Sequence, residues 1–195
     1  MATYDCIIVG GGPAGATAAY HLAKNGRSVL VLEKEPGDNR KPCGGGVSPA
    51  IAQWFDFDLS PAISLKVKRL RYTWKGEDPV DVRLQTAEPM WMVRREVFDL
   101  FLLAKAAEVG AEIRDNTTVS EIEFADDRWT VRTDKDTVSA TYLVAADGAN
   151  SFIARELGIK PGKLRQAAAL EVPANPGDDA TINFDLGSIK NGFIW

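Results

Sequence analysis

Two short apolar runs near the start of the chain flank a segment with helical spacing. Cys6-Ile7-Ile8-Val9 is apolar without a break, and so is Val29-Leu30-Val31-Leu32. Unbroken runs of this length predict strands buried on both faces, as in a parallel sheet. Between them Ala14, Ala18, Ala19, Leu22 and Ala23 form a mostly small apolar stripe, which lets a helix lie close on a sheet. Pro13 stands in its first turn, where a missing N–H costs nothing, and Gly26 ends it. The prediction is strand, helix, strand, with the strands at 5–9 and 28–32.

The polar, Gly- and Pro-rich stretch 35–46 reads as a loop, and 48–55 as a short helix. Residues 63–74 mix β-branched, aromatic and basic residues and predict one or two strands, with further strands at 83–84 and 90–93. Val97, Phe98, Phe101, Leu102 and Ala106 give the apolar face of a helix over 95–109, capped by Gly110. A short parallel strand follows at 111–114. Residues 118–124, 129–133 and 137–140 predict an antiparallel meander with a turn at Ala125-Asp126-Asp127. An apolar strand at 141–146 ends in Asp147-Gly148, and a short helix follows at 151–157. Strands at 166–172, 181–184 and 192–195 start a new sheet, with Pro173, Pro176 and Gly177 between them. Phe193-Ile194-Trp195 reads as an apolar strand with no later partner, an open edge. The expectation is an N-terminal portion of a longer protein.

The turn after the first strand carries Gly10, Gly12 and Gly15 in the spacing G-x-G-x-x-G. The first glycine makes a tight turn, the second lets backbone approach a pyrophosphate, and the third lets helix and sheet pack closely. Glu33 ends the second strand, where a carboxylate accepts hydrogen bonds from a ribose. The bland alternative for Glu33 is a solvated strand-end acid. The helix N-terminus adds roughly half a positive charge and N–H groups directed at the turn. No lysine follows the turn, so it is not a P-loop. The whole predicts an α/β fold: a Rossmann-like, dinucleotide-binding parallel sheet with an inserted antiparallel meander and the start of a second antiparallel sheet. The expected domains are 1–60, an excursion at 61–93, a return at 94–160, and the second sheet from 161 to 195.

Composition narrows the partners. A net charge of -4 without a long basic stripe argues against nucleic acid. No apolar run reaches the roughly 20 residues of a spanning helix, and no signal peptide precedes the first strand. Cys6 and Cys43 form no C-x-x-C pair, which predicts free thiols and a cytoplasmic, reducing compartment. His21 and two distant cysteines make no metal-ligand cluster. Lys66, Lys68, Arg69, Arg71 and Lys75 read as a solvated strand face; the alternative is attraction for a diphosphate or phospholipid head group, and so a peripheral membrane contact. Trp54, Trp74, Trp91 and Trp129 read as core or sheet packing.

Four segments together resemble one family. The Gly10-to-Gly15 turn with Glu33 is similar to the N-terminal FAD fingerprint of the p-hydroxybenzoate-hydroxylase-type flavoproteins. Arg95-Glu96-Val97-Phe98-Asp99 resembles their arginine-led helix start, and Leu143 to Ser151 resembles their second motif, whose Asp-Gly lies near the cofactor phosphates. Lys41-Pro42-Cys43-Gly44-Gly45-Gly46-Val47 is similar to the P-C-G-G-G segment of the geranylgeranyl reductases. Gly192-Phe193-Ile194-Trp195 resembles the beginning of their aromatic substrate-side motif, with phenylalanine in the tyrosine place. The family's third flavin motif, a Gly-Asp pair, is absent.

The resemblance implies FAD held by Gly10, Gly12, Pro13, Ala14, Gly15, Glu33, Lys34, Cys43, Gly44, Arg95, Val119, Asp147 and Gly148. It implies Cys43 beside the flavin ring as the candidate catalytic residue, and Phe193 and Trp195 toward the substrate. The activity implied is reduction of isoprenoid carbon–carbon double bonds, with NAD(P)H or ferredoxin as electron donor, the 195 residues alone being inactive. A flavin monooxygenase or halogenase of the same superfamily, and a non-catalytic nucleotide-binding module, remain the alternatives.

Overall fold

The computed structural model describes every residue except 37–40, 161, 174 and 176–179. Pro176, Gly177 and part of the expected 35–46 loop lie outside the described residues. In chain order the elements are β1 (Ala2–Val9), α1 (Pro13–Lys24), β2 (Val29–Leu32), β3 (Gly46–Val47), β4 (Leu65–Val67), β5 (Arg69–Trp74), β6 (Glu77–Arg83), β7 (Met90–Met92), α2 (Arg95–Glu108), β8 (Glu112–Arg114), β9 (Val119–Ala125), β10 (Arg128–Thr133), β11 (Thr137–Ala145), α3 (Phe152–Glu156), β12 (Thr181–Leu186) and β13 (Phe193–Ile194). They form two compact units: Met1–Lys41 with Glu96–Gln166, and Pro42–Arg95 with Ala167–Trp195.

The first unit is built on one sheet of order β8-β2-β1-β11-β10-β9. β8, β2, β1 and β11 run parallel, and β10 and β9 extend the sheet antiparallel. β1 and β2 are central, which is why their apolar runs show no alternation: Ile7, Ile8, Leu30 and Val31 are fully buried. The β9–β10 turn places Asp126 and Asp127 at positive φ, the conformation of a two-residue hairpin turn. The three α-helices among the described residues end alike. Gly26, Gly110 and Gly158 take positive φ just past α1, α2 and α3. At α1 the N–H of Gly26 donates to Ala23 O and that of Arg27 to Leu22 O, which satisfies the last carbonyls. Gly110 with Ala111, and Gly158 with Ile159, repeat the pattern.

The second unit holds a four-stranded sheet, β13-β12-β5-β6, and a three-stranded one, β3-β7-β4. β12 runs parallel to β5, while β6 and β13 pair antiparallel, so the larger sheet is mixed.

Several expectations are corrected. The buried face of α1 is Gly15, Ala16, Ala19, Tyr20 and Ala23, so Ala14, Ala18 and Leu22 lie off it. Small residues occur all round this helix, so spacing alone does not fix which side meets the sheet. Residues 137–140 and 141–146 are one strand, β11; its start pairs with β10, while its whole length pairs with β1. The strand expected at 83–84 is the end of the longer β6, whose residues are all exposed and whose polar composition hid it. The segment 48–55 holds a 3-10 helix, Pro49–Trp54. Residues 166–172 form no strand, and Leu170 and Val172 are exposed. β13 is an edge strand, as expected: Phe193 and Ile194 pair on one side with Leu186 and Asp185 of β12. Trp54 and Trp74 are exposed rather than packed in a core, whereas Trp91 is buried.

Candidate functional site

The glycine turn sits at the carboxyl end of β1, and the structure explains two of its glycines by space. Gly10 has φ +105°, and a Cβ there would stand 2.3 Å from Ala146 O. A Cβ on Gly15 would stand 1.9 Å from Gly10 O. Both contacts are far inside van der Waals limits and both involve backbone, so neither can relax. The first contact also shows what the turn touches. Ala146 follows β11, and its N–H donates to Val9 O at 2.8 Å. The Gly10 turn and the Asp147-Gly148 turn, far apart in sequence, thus lie against each other at the carboxyl ends of adjacent parallel strands. Open α/β sheets bind ligands at this edge.

Gly12 is the N-cap of α1, extended at φ -67°, ψ -179°, and no side chain caps the helix. The first turn of α1 holds no acid. The helix start is therefore electropositive, with no side-chain cap and no acid of its own first turn to offset it.

Glu33 is buried at the end of β2. Its Oε2 accepts from the Gly11 N–H at 2.6 Å, and its Oε1 accepts from the Glu35 N–H at 3.1 Å. Lys41 Nζ lies 3.7 Å from Oε2. The Glu33 backbone is fixed as well: its N–H donates to Arg114 O, and its carbonyl accepts from the Thr117 N–H, each at 2.9 Å. That second bond draws the segment leading to Val119, the first residue of β9, to the end of β2. Glu33 is thus no solvated strand-end acid.

Gly11 and Lys41 are the residues that sequence reasoning missed here. A Cβ on Gly11 would meet Glu33 Cβ at 3.1 Å and Leu103 Cδ1 at 3.2 Å. The run Gly10-Gly11-Gly12 was a visible signal for the first. Lys41 gave none, because its place depends on the loop before it.

Asp147 uses its carboxylate inside the chain. Oδ1 accepts from Ser151 Oγ at 2.6 Å, and Oδ2 from the N–H groups of Phe152 and Ile153 at 2.6 and 3.2 Å. Ser151 Oγ accepts from the Ala154 N–H at 2.9 Å. The Asp147–Ser151 pair caps α3, and Gly148 between them takes φ +82°.

Cys43, Gly44, Arg95, Phe193 and Trp195 belong to the second unit. Cys43 is exposed, and its Sγ accepts from the Gly45 N–H at 3.4 Å. Gly45 has φ +72°; a Cβ there would stand 2.3 Å from Val93 O, and its own carbonyl accepts from the Val93 N–H at 2.9 Å. Trp195 lies on the same loop: a Cβ on Gly44 would be 2.9 Å from its indole. An aromatic row leads away from it. Ring centroids are 5.9 Å apart for Trp195–Phe193, 6.2 Å for Phe193–Phe184 and 5.3 Å for the stacked Phe184–Tyr72 pair. Lys34 is in the first unit beside Glu35, with Nζ 3.8 Å from its carboxylate. Arg95 starts α2 and is half-buried.

The other cysteine is inert in its setting. Cys6 is buried in β1, and burial, with the Asp5 charge second, pushes its thiol up from the ordinary value. Among the described residues no group of His, Cys, Asp and Glu could hold a metal ion. Of the basic cluster, Lys66 pairs with Glu88 and Arg71 with Asp81. No described helix is long and apolar enough to cross a membrane.

A glycine turn into an uncapped helix, a buried acid after the second strand and an Asp-Gly turn at the same edge are those of a dinucleotide-binding α/β protein. Comparison with known proteins agrees: residues 3–182 match the FAD binding domain family, and the chain belongs to it. It is 31% identical over 207 residues to digeranylgeranylglycerophospholipid reductase 2 of Methanothermobacter thermautotrophicus, covering 98% of this chain and 53% of that protein. It is 33% identical over 187 residues to the chloroplastic geranylgeranyl diphosphate reductase of Nicotiana tabacum, covering 88% and 39%. The crystal structure of a geranylgeranyl bacteriochlorophyll reductase-like protein from Thermoplasma acidophilum superposes with a TM-score of 0.80 at 30% identity, over 100% of this chain and 53% of that one. The chain spans about half the length of such relatives, or less. Halogenase PltM, solved with phloroglucinol and FAD, shares the fold at a TM-score of 0.65 and 25% identity, over 80% of this chain and 36% of that one.

Proposed function

We propose that this chain is the FAD-binding part of a flavin-dependent reductase that saturates carbon–carbon double bonds of isoprenoid lipids. The cofactor half of the reading rests on one observation: at Gly10 the glycine turn, the buried Glu33 and the Asp147-Gly148 turn converge on one strand edge. The uncapped start of α1 at this edge fits a diphosphate. Gly10, Gly12, Pro13, Ala14 and Gly15 would face it. Glu33 and Lys34 would meet the adenosine ribose, and Val119 the adenine through its backbone. Asp147 and Gly148 would act indirectly, by holding the turn against Gly10. Cys43, Gly44 and Arg95 are the cofactor contacts proposed for the second unit.

FAD, when bound, supplies hydride chemistry. The chain's own residues bind it, orient it and exclude water. The isoprenoid half draws on the reductases to which the chain is similar and on the aromatic row ending at Phe193 and Trp195. Such a row suits an apolar tail with many carbons and few polar handles. Cys43, exposed on a loop that Gly45 and Val93 hold in shape, is the residue we assign to the reacting end. NAD(P)H and ferredoxin are the two donor classes the reading allows.

The test uses the full-length protein, reduced without oxygen and given a geranylgeranyl lipid. The substrate should gain mass in steps of two hydrogens. Oxygen-dependent turnover of small aromatic acids, with none of prenyl lipids, would favour the monooxygenase reading. A colourless protein that gains no visible absorbance with FAD but binds NAD(H) would overturn the cofactor assignment.

A further inference from the structure

Lys41 lies on the loop after β2, yet it faces the end of that strand. Its Nζ is 3.7 Å from Glu33 Oε2, and Oε2 already accepts from the Gly11 N–H at 2.6 Å. Oε1 accepts from the Glu35 N–H at 3.1 Å. An ionised carboxylate offers about four acceptor positions. Gly11 takes one on Oε2 and Glu35 takes one on Oε1, while Lys41 faces Oε2 as an ion pair at 3.7 Å rather than a hydrogen bond. Among the described residues, one position on Oε1 is left for a ribose hydroxyl. The Glu33 side chain is 10% exposed, so its charge gets little help from water, and Lys41 is a cation beside it.

We infer that Lys41 is a positioning residue for the cofactor: it holds the Glu33 carboxylate so that its remaining lone pair meets the adenosine ribose. The inference deepens the FAD reading and rests on it. Lys41 acts through Glu33, and the two should therefore be coupled in FAD affinity. The pair is partly exposed on the lysine side, so the expected effect is modest, about three- to fivefold in Kd.

The experiment is an FAD titration of the full-length protein, read by quenching of flavin fluorescence, with Lys41→Met, Lys41→Arg, Glu33→Gln and Lys41→Met combined with Glu33→Gln. Lys41→Met should weaken FAD about three- to fivefold. Lys41→Arg should bind within about twofold of the unsubstituted protein, because it restores the charge. In the Glu33→Gln background, Lys41→Met should change little, since the charge it answers is gone. An undiminished affinity in Lys41→Met overturns the inference alone. An equal loss with and without Glu33 also overturns it, because Lys41 would then act on the cofactor directly. Failure of the unsubstituted protein to bind FAD overturns both the inference and the reading beneath it.

Discussion

Gly15 leaves the least room for change of any glycine in the turn. Its missing Cβ would sit 1.9 Å from Gly10 O, within the backbone of the same turn. Gly15→Ala must move either the start of α1 or the end of β1. Gly10→Ala adds a positive-φ strain of about 1–3 kcal/mol to its own collision with Ala146. Both variants should lose bound flavin and melt at lower temperature. Gly12→Val tests a different thing. We expect it to abolish flavin absorbance while the melting temperature without cofactor stays near that of the parent, because its new side chain would meet the ligand. Glu33→Ala should weaken FAD by about 1.5–3 kcal/mol, the scale for hydrogen bonds to a charged group, as read by equilibrium titration. It should also lower stability, since the Gly11 N–H loses its acceptor.

At the scale of elements, α3 depends on its cap. It is five residues long, too short to persist through propensity alone. Asp147 and Ser151 together accept from Phe152, Ile153 and Ala154. Asp147→Ala should cost about 1–2 kcal/mol, seen as a lower urea midpoint at unchanged slope. β1 and β8 are tied by a second device. The Tyr4 hydroxyl donates to Glu112 Oε2 at 2.7 Å and accepts from Arg114 at 2.9 Å, ahead of the point where β2 begins. The Tyr4 bond first, and Arg114 beside it, hold the Glu112 carboxyl below its usual range. Burial, then Glu112, pushes the Tyr4 phenol up. The lowered acid stabilises the fold above its unfolded pKa of about 4.3 and loses that effect as pH falls through the lower folded value. The raised phenol stabilises the fold below about pH 10 and loses that effect as pH rises through the higher folded value. Both effects are small, because Glu112 is half-exposed. Tyr4→Phe should flatten the stability profile at both ends, measured by urea denaturation across pH.

At the scale of the whole molecule, neither unit is a continuous stretch of chain. The first unit takes Met1–Lys41 and returns with Glu96–Gln166. β1 lies between β2, the next strand in the chain, and β11, which begins at Thr137. A polypeptide of residues 1–95 would keep β1 and β2 but lose β8 and β11, one on each side of the pair. What such a polypeptide keeps of the first unit, two strands and one helix, buries too little to stand alone, and its second unit lacks β12 and β13. We expect that polypeptide to show no cooperative thermal transition by circular dichroism, whereas the 195-residue chain shows one.

Much of the candidate site could be read from the chain alone, because its signals are local. The β-α-β unit, the three spaced glycines, the closing Glu33 and the glycine helix ends need only neighbouring residues to be recognised. The Asp147-Gly148 turn was visible as a strand end. The face of α1 was not, since small residues surround that helix and only the sheet selects a side. The exposed β6 was blurred because no burial pattern marks it. What tertiary structure alone decided are the meetings between distant segments: Gly10 with Ala146, Lys41 with Glu33, and Gly44 with Trp195. Sequence spacing carries periodicity within an element. It carries no distance between elements, and those distances are set by strand order and by which backbones can approach where no Cβ stands between them.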